Sequence, residues 1–256
     1  MKTYYDKLKE LLTPYDLGFT KMRIGPSGDG GYVIYQEPLS KTNSVYSLGI
    51  GPVCGSDFQL AQMGKIIHMY DSEPFYHNEH PNYRFKQIYV TSEVLDVELN
   101  SVNDTNLLMC MDIEGGEYEV LPNMKKENLL KFSQISIEMH WIGGENRIVE
   151  GVFRNGGRVL DDGGECVINM LETLNKHFYL YHIHINNGAN PFENFPDVIE
   201  CSYLRKDLCK QVDKEFSRNL VTIHKETKSY PLDGLDFPNY TGPSNLAVNP
   251  EFNWWL

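Results

Sequence analysis

Apolar positions along this chain recur with two periods, and their alternation sketches the elements. From Met1 to Leu12, residues Tyr4, Tyr5, Leu8, Leu11 and Leu12 share a helical face, and Thr13-Pro14 ends the pattern. Met22-Arg23-Ile24 and Tyr32-Val33-Ile34 flank Gly25-Pro26-Ser27-Gly28-Asp29-Gly30-Gly31, which predicts a hairpin with unusual backbone demands at its turn. Residues 1–40 thus form a cap ahead of the main sheet. Strands are expected at Val45–Gly49, Lys65–Asp71, Phe85–Val90, Leu107–Asp112 and Ile135–Met139, with a helix from Cys54 to Gly64 and a crossover helix within Glu117–Leu130. Leu107-Leu108-Met109-Cys110-Met111 is apolar throughout, the pattern of a parallel strand covered on both faces. Two helical patterns broken at Asp161-Asp162-Gly163-Gly164 fill Asn146–Lys176, and strands at Tyr179–Ile185 and Val198–Leu204 bring the count to seven. Strand and helix in alternation predict an α/β doubly wound sheet, with one domain holding nearly the whole chain. The segment 229–256, rich in Pro, Asn and aromatics, is expected to wrap that domain; contact with a partner or a second copy through its aromatic end is the alternative.

Composition narrows the function classes. The 256 residues include 35 acidic and 23 basic side chains, for a formal charge of −12. No basic stripe is present to release counterions, so a nucleic-acid partner is not expected. No apolar run approaches the ~20 residues of a spanning helix. Met1-Lys2-Thr3-Tyr4-Tyr5-Asp6-Lys7 lacks the apolar segment of a secretory signal. The five cysteines, at 54, 110, 166, 201 and 209, contain no CxxC pair. A reduced, cytoplasmic protein with no transmembrane segment is the expectation.

Candidate chemistry gathers at strand ends. Gly49-Ile50-Gly51-Pro52-Val53-Cys54-Gly55 follows the first sheet strand and opens a helix, where glycines permit a tight turn and close approach by a ligand. Such a loop also serves purely structural ends in many α/β domains. Asp71 ends the second strand, placed to accept from both hydroxyls of a ribose, as nicotinamide and adenosyl cofactors require. Pro52 departs from a dinucleotide fingerprint, and no lysine follows as a phosphate-cradling loop needs. Asp112 and Glu114 finish one strand, Glu138 and His140 the next, and His184, Asn186 and Asn187 the sixth.

Met111-Asp112-Ile113-Glu114-Gly115-Gly116-Glu117-Tyr118-Glu119-Val120-Leu121 resembles the signature of FkbM-type methyltransferases, S-adenosylmethionine-dependent enzymes with a seven-stranded Rossmann-like fold. Arg23-Ile24-Gly25 to Asp29-Gly30-Gly31-Tyr32-Val33 is similar to the amino-terminal motif of a related methyltransferase-like subgroup, in which His184-Ile185-Asn186-Asn187 also has a parallel. The resemblance runs from about Arg23 to Leu204. It implies that Gly49 and Gly51 hold the methionyl portion and that Asp71 binds the ribose, with Ser72 and Glu73 assisting. Ser92 and Glu93 fall where adenine contacts are made, and Asp112 borders the cofactor. Ser47 stands where many such enzymes carry an acidic residue two places before the first loop glycine, so the methionine amino group is contacted differently here.

Within that frame His140, with the ordinary imidazole pKa near 6.5, is the expected general base for a hydroxyl acceptor, with Asp112 and His184 as further candidate catalytic residues, the sixth strand that carries His184 lying at the far edge of the expected sheet. His140 should stand nearer the methyl group than His182. Methyl transfer needs no protein nucleophile, because the sulfonium is already activated. A competing reading makes Asp112, His140 and His184, with Glu114 or Asn186, the ligands of a divalent metal. A bland one has Asp112 and Glu114 cap the helix that begins near Gly116. The leading expectation is an O-methyltransferase acting on a small molecule or sugar, including a precursor of a cell-surface polysaccharide. The alternatives are a non-catalytic binding protein on the same fold and an NAD-dependent oxidoreductase.

Overall fold

Each apolar run between glycine-bearing turns becomes a strand, and the 3.6-residue patterns become the helices that cover them. The computed structural model describes residues 4–26, 30–51, 54–75, 79–142, 164–185 and 198–209. Their elements, in chain order, are α1 (Tyr4–Leu11), β1 (Lys21–Ile24), β2 (Tyr32–Tyr35), α2 (Gln36–Lys41), β3 (Ser44–Leu48), α3 (Gly55–Gln62), β4 (Ile66–Asp71) and β5 (Tyr83–Gln87). There follow α4 (Ser92–Asn100), β6 (Leu107–Met111), α5 (Glu117–Asn123), α6 (Lys126–Leu129), β7 (Phe132–Met139), α7 (Glu165–His177), β8 (Phe178–Ile185) and β9 (Ile199–Arg205).

Strands β3 to β9 form one sheet in the order β5-β4-β3-β6-β7-β9-β8. The pairs β3–β4, β3–β6, β4–β5 and β6–β7 are parallel, and β9 runs antiparallel between β7 and β8. Counted within the sheet, the order is 3-2-1-4-5-7-6 with the seventh strand reversed. This is the Rossmann-like class I methyltransferase architecture that the resemblance implied.

Both faces are covered, as the unbroken apolar strands required. Tyr46, Leu48, Met109, Met111, Ile135 and Ile137 pack against Leu8 of α1, Leu95 of α4, Leu121 of α5 and Leu171 of α7. Their neighbours Val45, Ile67, Met69, Leu108 and Cys110 face the other way, onto Leu60 of α3 and onto Ile24, Ile34 and Leu39. The expected hairpin is real: β1 and β2 pair antiparallel, with Gly25 and Gly30 at φ of 87° and 75°. It docks on β7 and β9 through polar bonds. Gln134 accepts from the Tyr35 amide at 2.9 Å and donates to its carbonyl at 3.1 Å, and Ser202 Oγ donates to the Val33 carbonyl at 2.7 Å.

Several elements differ from expectation. The third strand begins earlier, at Tyr83, because Tyr83 and Phe85 pack inward near Phe75 while Tyr89 stays exposed. The single crossover helix is two short ones, α5 and α6, parted after Pro122 at an extended Met124. Helices α2 and α4 had no counterpart in the pattern. Of the two helices expected within Asn146–Lys176, the described residues contain α7; residues 143–163, Asn186, Asn187 and the tail 229–256 lie outside them. All five cysteines are free thiols, and no helix among the described residues is long and apolar enough to cross a membrane.

Candidate functional site

The carboxyl ends of β3, β4, β6 and β7 meet along one edge of the sheet, which is where open α/β sheets bind ligands. Gly49, at φ 76°, leaves β3 against the Asp112 backbone, and a Cβ there would overlap the Asp112 carbonyl oxygen. Glycine is therefore required at this position for packing alone. Gly51, at φ 57°, has no described neighbour within 4 Å of where its Cβ would stand, so glycine is favoured there by the left-handed backbone and not by packing against the described residues. Asp71 closes the loop from below: its Oδ2 accepts from the Ile50 amide at 2.7 Å and the Gly51 amide at 3.3 Å, and its Oδ1 accepts from the Glu73 amide at 2.8 Å. Asp71 is thus an anchor of the glycine loop. A carboxylate has about four lone-pair directions, so it retains capacity for further donors.

One strand over, Asp112, Glu114 and His140 present ligand atoms that all lie within 4.8 Å of one another, an arrangement able to hold a metal ion. His140 Nε2 stands 3.6 Å from Asp112 Oδ1 and 3.5 Å from Glu114 Oε2. On its other side, Nδ1 lies 3.2 Å from Oε1 of Glu117, which also accepts from the Ile113 amide at 3.1 Å. Glu117 is fully buried, and this contact orients the ring and fixes which nitrogen faces the two carboxylates. Tyr118 Oη donates to the His140 carbonyl and holds the backbone of the same residue. Glu114 and Trp141, both at φ 54°, are the non-glycine residues with positive φ among those described. Each costs of order 1 kcal/mol or more, and such strain gathers at functional sites. Helix α5 begins at Glu117 with Gly116 at its N-cap, and Glu117 Oε1 accepts from the Ile113 amide just ahead of it.

Charge is unbalanced here. Burial and then the Glu138 carboxylate push Asp112 well above the usual carboxylate range; Glu117 and Glu114 add to this, and His140 opposes it. Burial alone would lower His140, but the Glu117 hydrogen bond and the charges of Glu117, Asp112 and Glu138 outweigh it and lift the ring to about 10. Where the sequence suggested an imidazole of ordinary pKa, the carboxylate neighbours of His140 favour its protonated form. Tyr32, delivered by the hairpin, is pushed well above its usual value by burial and by the charges of Asp112, Cys110, Glu138 and Glu200, which places its phenol in the electrostatic reach of this edge.

No family model and no curated protein matches the chain. Solved structures similar to it include two that contain fibrillarin. A chain of a fibrillarin/Nop5p complex is 14% identical, with 73% of this chain and 93% of that one covered at a TM-score of 0.39. The fibrillarin pre-rRNA processing protein of Methanococcus jannaschii is 13% identical, with 66% and 69% covered at 0.39. The fold assignment stands on the strand order given above.

Of the residues singled out by sequence, Gly49, Gly51, Asp71, Asp112 and His140 share this edge, with Glu114 among them. Ser72 and Glu73 are exposed in the turn after β4, and Ser92 is the buried first residue of α4, with Glu93 exposed beside it. His184 belongs to β8, two strands from β7 in the order β7-β9-β8, and its side chain lies outside the described residues. Its backbone is about 10 Å from β7 by strand spacing. His182 is buried on β8, with Nδ1 3.5 Å from Lys21 Nζ of β1. Sequence reading missed Glu117 as the residue that orients His140, and Tyr32 as a neighbour of the acids.

Proposed function

We propose that this protein is an S-adenosylmethionine-dependent methyltransferase that acts on a hydroxyl of a small molecule or sugar, a polysaccharide precursor included, as a member of the FkbM-like group. The observation that carries the reading is the adjacency, along one strand-end edge, of a glycine loop anchored by an acid at the end of β4 and the pair of half-buried Asp112 and buried His140 at the ends of β6 and β7. S-adenosylmethionine, when bound, supplies an electrophilic methyl group on a sulfonium.

In this reading Gly49–Gly51 receives the methionyl portion, the remaining capacity of Asp71 and Ser72 meets the ribose, and Ser92 lies toward the adenine. Asp112 stands between cofactor and acceptor. The acceptor proton leaves into the Asp112–Glu114–His140 group. The acids around His140 favour its protonated form, and Asp112, raised by burial and neighbouring acids, is a stronger base than a surface carboxylate. The acceptor and cofactor bind within a single domain spanning the chain.

Calorimetric titration with S-adenosylhomocysteine tests the reading. The wild type should bind it and Asp71→Ala should weaken binding by about 2 kcal/mol, the scale of lost charge-assisted hydrogen bonds. Asp71→Asn keeps an oxygen for the Ile50 and Gly51 amides, so a loss of affinity there is not a collapsed loop. Binding of NAD in place of the adenosyl ligand, or no loss in either variant, would overturn the assignment.

A further inference from the structure

The Asp112–Glu114–His140 group has the dimensions of an ion site. Donors bound to a common first-row ion at about 2.1 Å stand roughly 3.0–3.5 Å apart for octahedral or tetrahedral angles. His140 Nε2 is 3.5 and 3.6 Å from the two carboxylate oxygens. That is wider than the ~2.7–2.9 Å of a charge-assisted hydrogen bond, so neither carboxylate closes on the ring. The gap is bounded by donors that have no other occupation. The His140 side chain is 8% exposed with Nε2 aimed at the gap, and Asp112 Oδ1 is buried without a hydrogen-bond partner. Behind the ring, the fully buried Glu117 at Nδ1 completes the carboxylate–histidine arrangement that orients ligating imidazoles. Glu114, with its side chain 77% exposed, stands at the solvent side of the gap, held there by a backbone at φ 54°.

We infer that Asp112, Glu114 and His140 bind one divalent first-row transition ion, with Glu117 as the positioning residue. One nitrogen and two oxygens favour Mn²⁺, Fe²⁺, Co²⁺ or Zn²⁺ over Mg²⁺ and Ca²⁺, which prefer all-oxygen sites. Entry of the ion displaces the Nε2 proton to solvent and leaves both carboxylates charged. Three protein donors leave further coordination positions for ligands from solution. Resting on the methyltransferase reading, this narrows the acceptor class to molecules with two adjacent oxygens, such as a vicinal diol, which an ion can grip and acidify.

Calorimetry of the chelator-treated full chain with MnCl₂, repeated with ZnCl₂ and MgCl₂, provides the test without any turnover assay. One Mn²⁺ or Zn²⁺ per chain is expected, with Mg²⁺ weaker. Glu114→Gln, an exposed and isosteric change, should weaken the ion at least ~10-fold, and Glu117→Gln should weaken it about 10–100-fold, the range for outer-shell partners. Glu127→Gln, an exposed acid on α6, should bind as wild type. S-adenosylhomocysteine affinity should be unchanged in Glu114→Gln, so loss of the ion site and loss of the cofactor reading are read separately. No binding to the wild type, or equal binding by wild type, Glu114→Gln and Glu117→Gln, would overturn the inference.

Discussion

At the scale of single residues the site is governed by one imidazole among four acids. His140 lies against Glu117, Asp112 and Glu114, with Glu138 adding its charge. The folded ring is held up to about 10, against about 6.5 when unfolded. Its protonated form therefore contributes stability that is fully present below the unfolded value and is lost as pH rises through about 10. Asp112, also raised in the fold, acts with the same sign: its protonated form is favoured by folding, and that stability is lost as pH rises from the ordinary carboxylate range upward. In chelator-treated protein the melting temperature should fall between about pH 7 and pH 10, and His140→Gln should flatten that slope. A wild-type profile that is level over this interval would contradict the proposed charge arrangement. Asp112 and His140 were legible in the sequence because each is a polar side chain directly after a strand, at the carboxyl end where α/β sheets bind ligands. Glu117 was not: an acid in the first turn of a helix reads as an exposed complement to the helix dipole. Only the fold shows that the first turn of α5 is buried.

Among the elements, β7 best shows where pattern and structure part. Gln134-Ile135-Ser136-Ile137-Glu138 alternates as a half-exposed strand does, yet every residue of β7 is buried. The polar face is covered by the hairpin, whose β2 lacks a sheet neighbour on that side and takes bonds from side chains instead. Gln134 serves the Tyr35 amide and carbonyl and accepts from Tyr181 Oη at 2.8 Å, and Tyr35 and Tyr181 stack at 3.9 Å. Alternation predicts two unlike faces, but it carries no information about whether the polar one meets water or another element. Helix α2 escaped for a similar reason, since six residues containing Pro38 give too short a pattern to register. Removing the glutamine leaves buried partners without bonds, so Gln134→Ala should cost about 2–4 kcal/mol. Urea unfolding followed by tyrosine fluorescence measures this, and a loss within about 0.5 kcal/mol, ordinary for a surface change, would mean that the hairpin is held by apolar contacts alone.

For the molecule as a whole, the α/β class was the most legible feature, because parallel strands with both faces buried leave long apolar runs that few other environments tolerate; the order of the strands came only with the family resemblance. Net charge acts at the same scale. The chain carries −12, and five of its acids, Asp71, Asp112, Glu114, Glu117 and Glu138, are concentrated at the strand-end edge. S-adenosylmethionine has one positive charge more than S-adenosylhomocysteine, located on the sulfonium itself. A field of this sign favours the charged form, and salt weakens it, with a screening length of about 10 Å at 0.1 M. Between roughly 20 mM and 500 mM NaCl, affinity for S-adenosylmethionine should therefore fall several-fold while that for S-adenosylhomocysteine changes little. Chelator must be present in both titrations, since a bound divalent ion would cancel part of the same charge. Neutralising one buried acid would alter local packing, whereas salt changes the field and leaves the contacts in place, so the difference between the two ligands isolates the electrostatic contribution. Equal salt dependence for both would show that the acids do not face the sulfonium, and would move the methyl-transfer position away from Asp112.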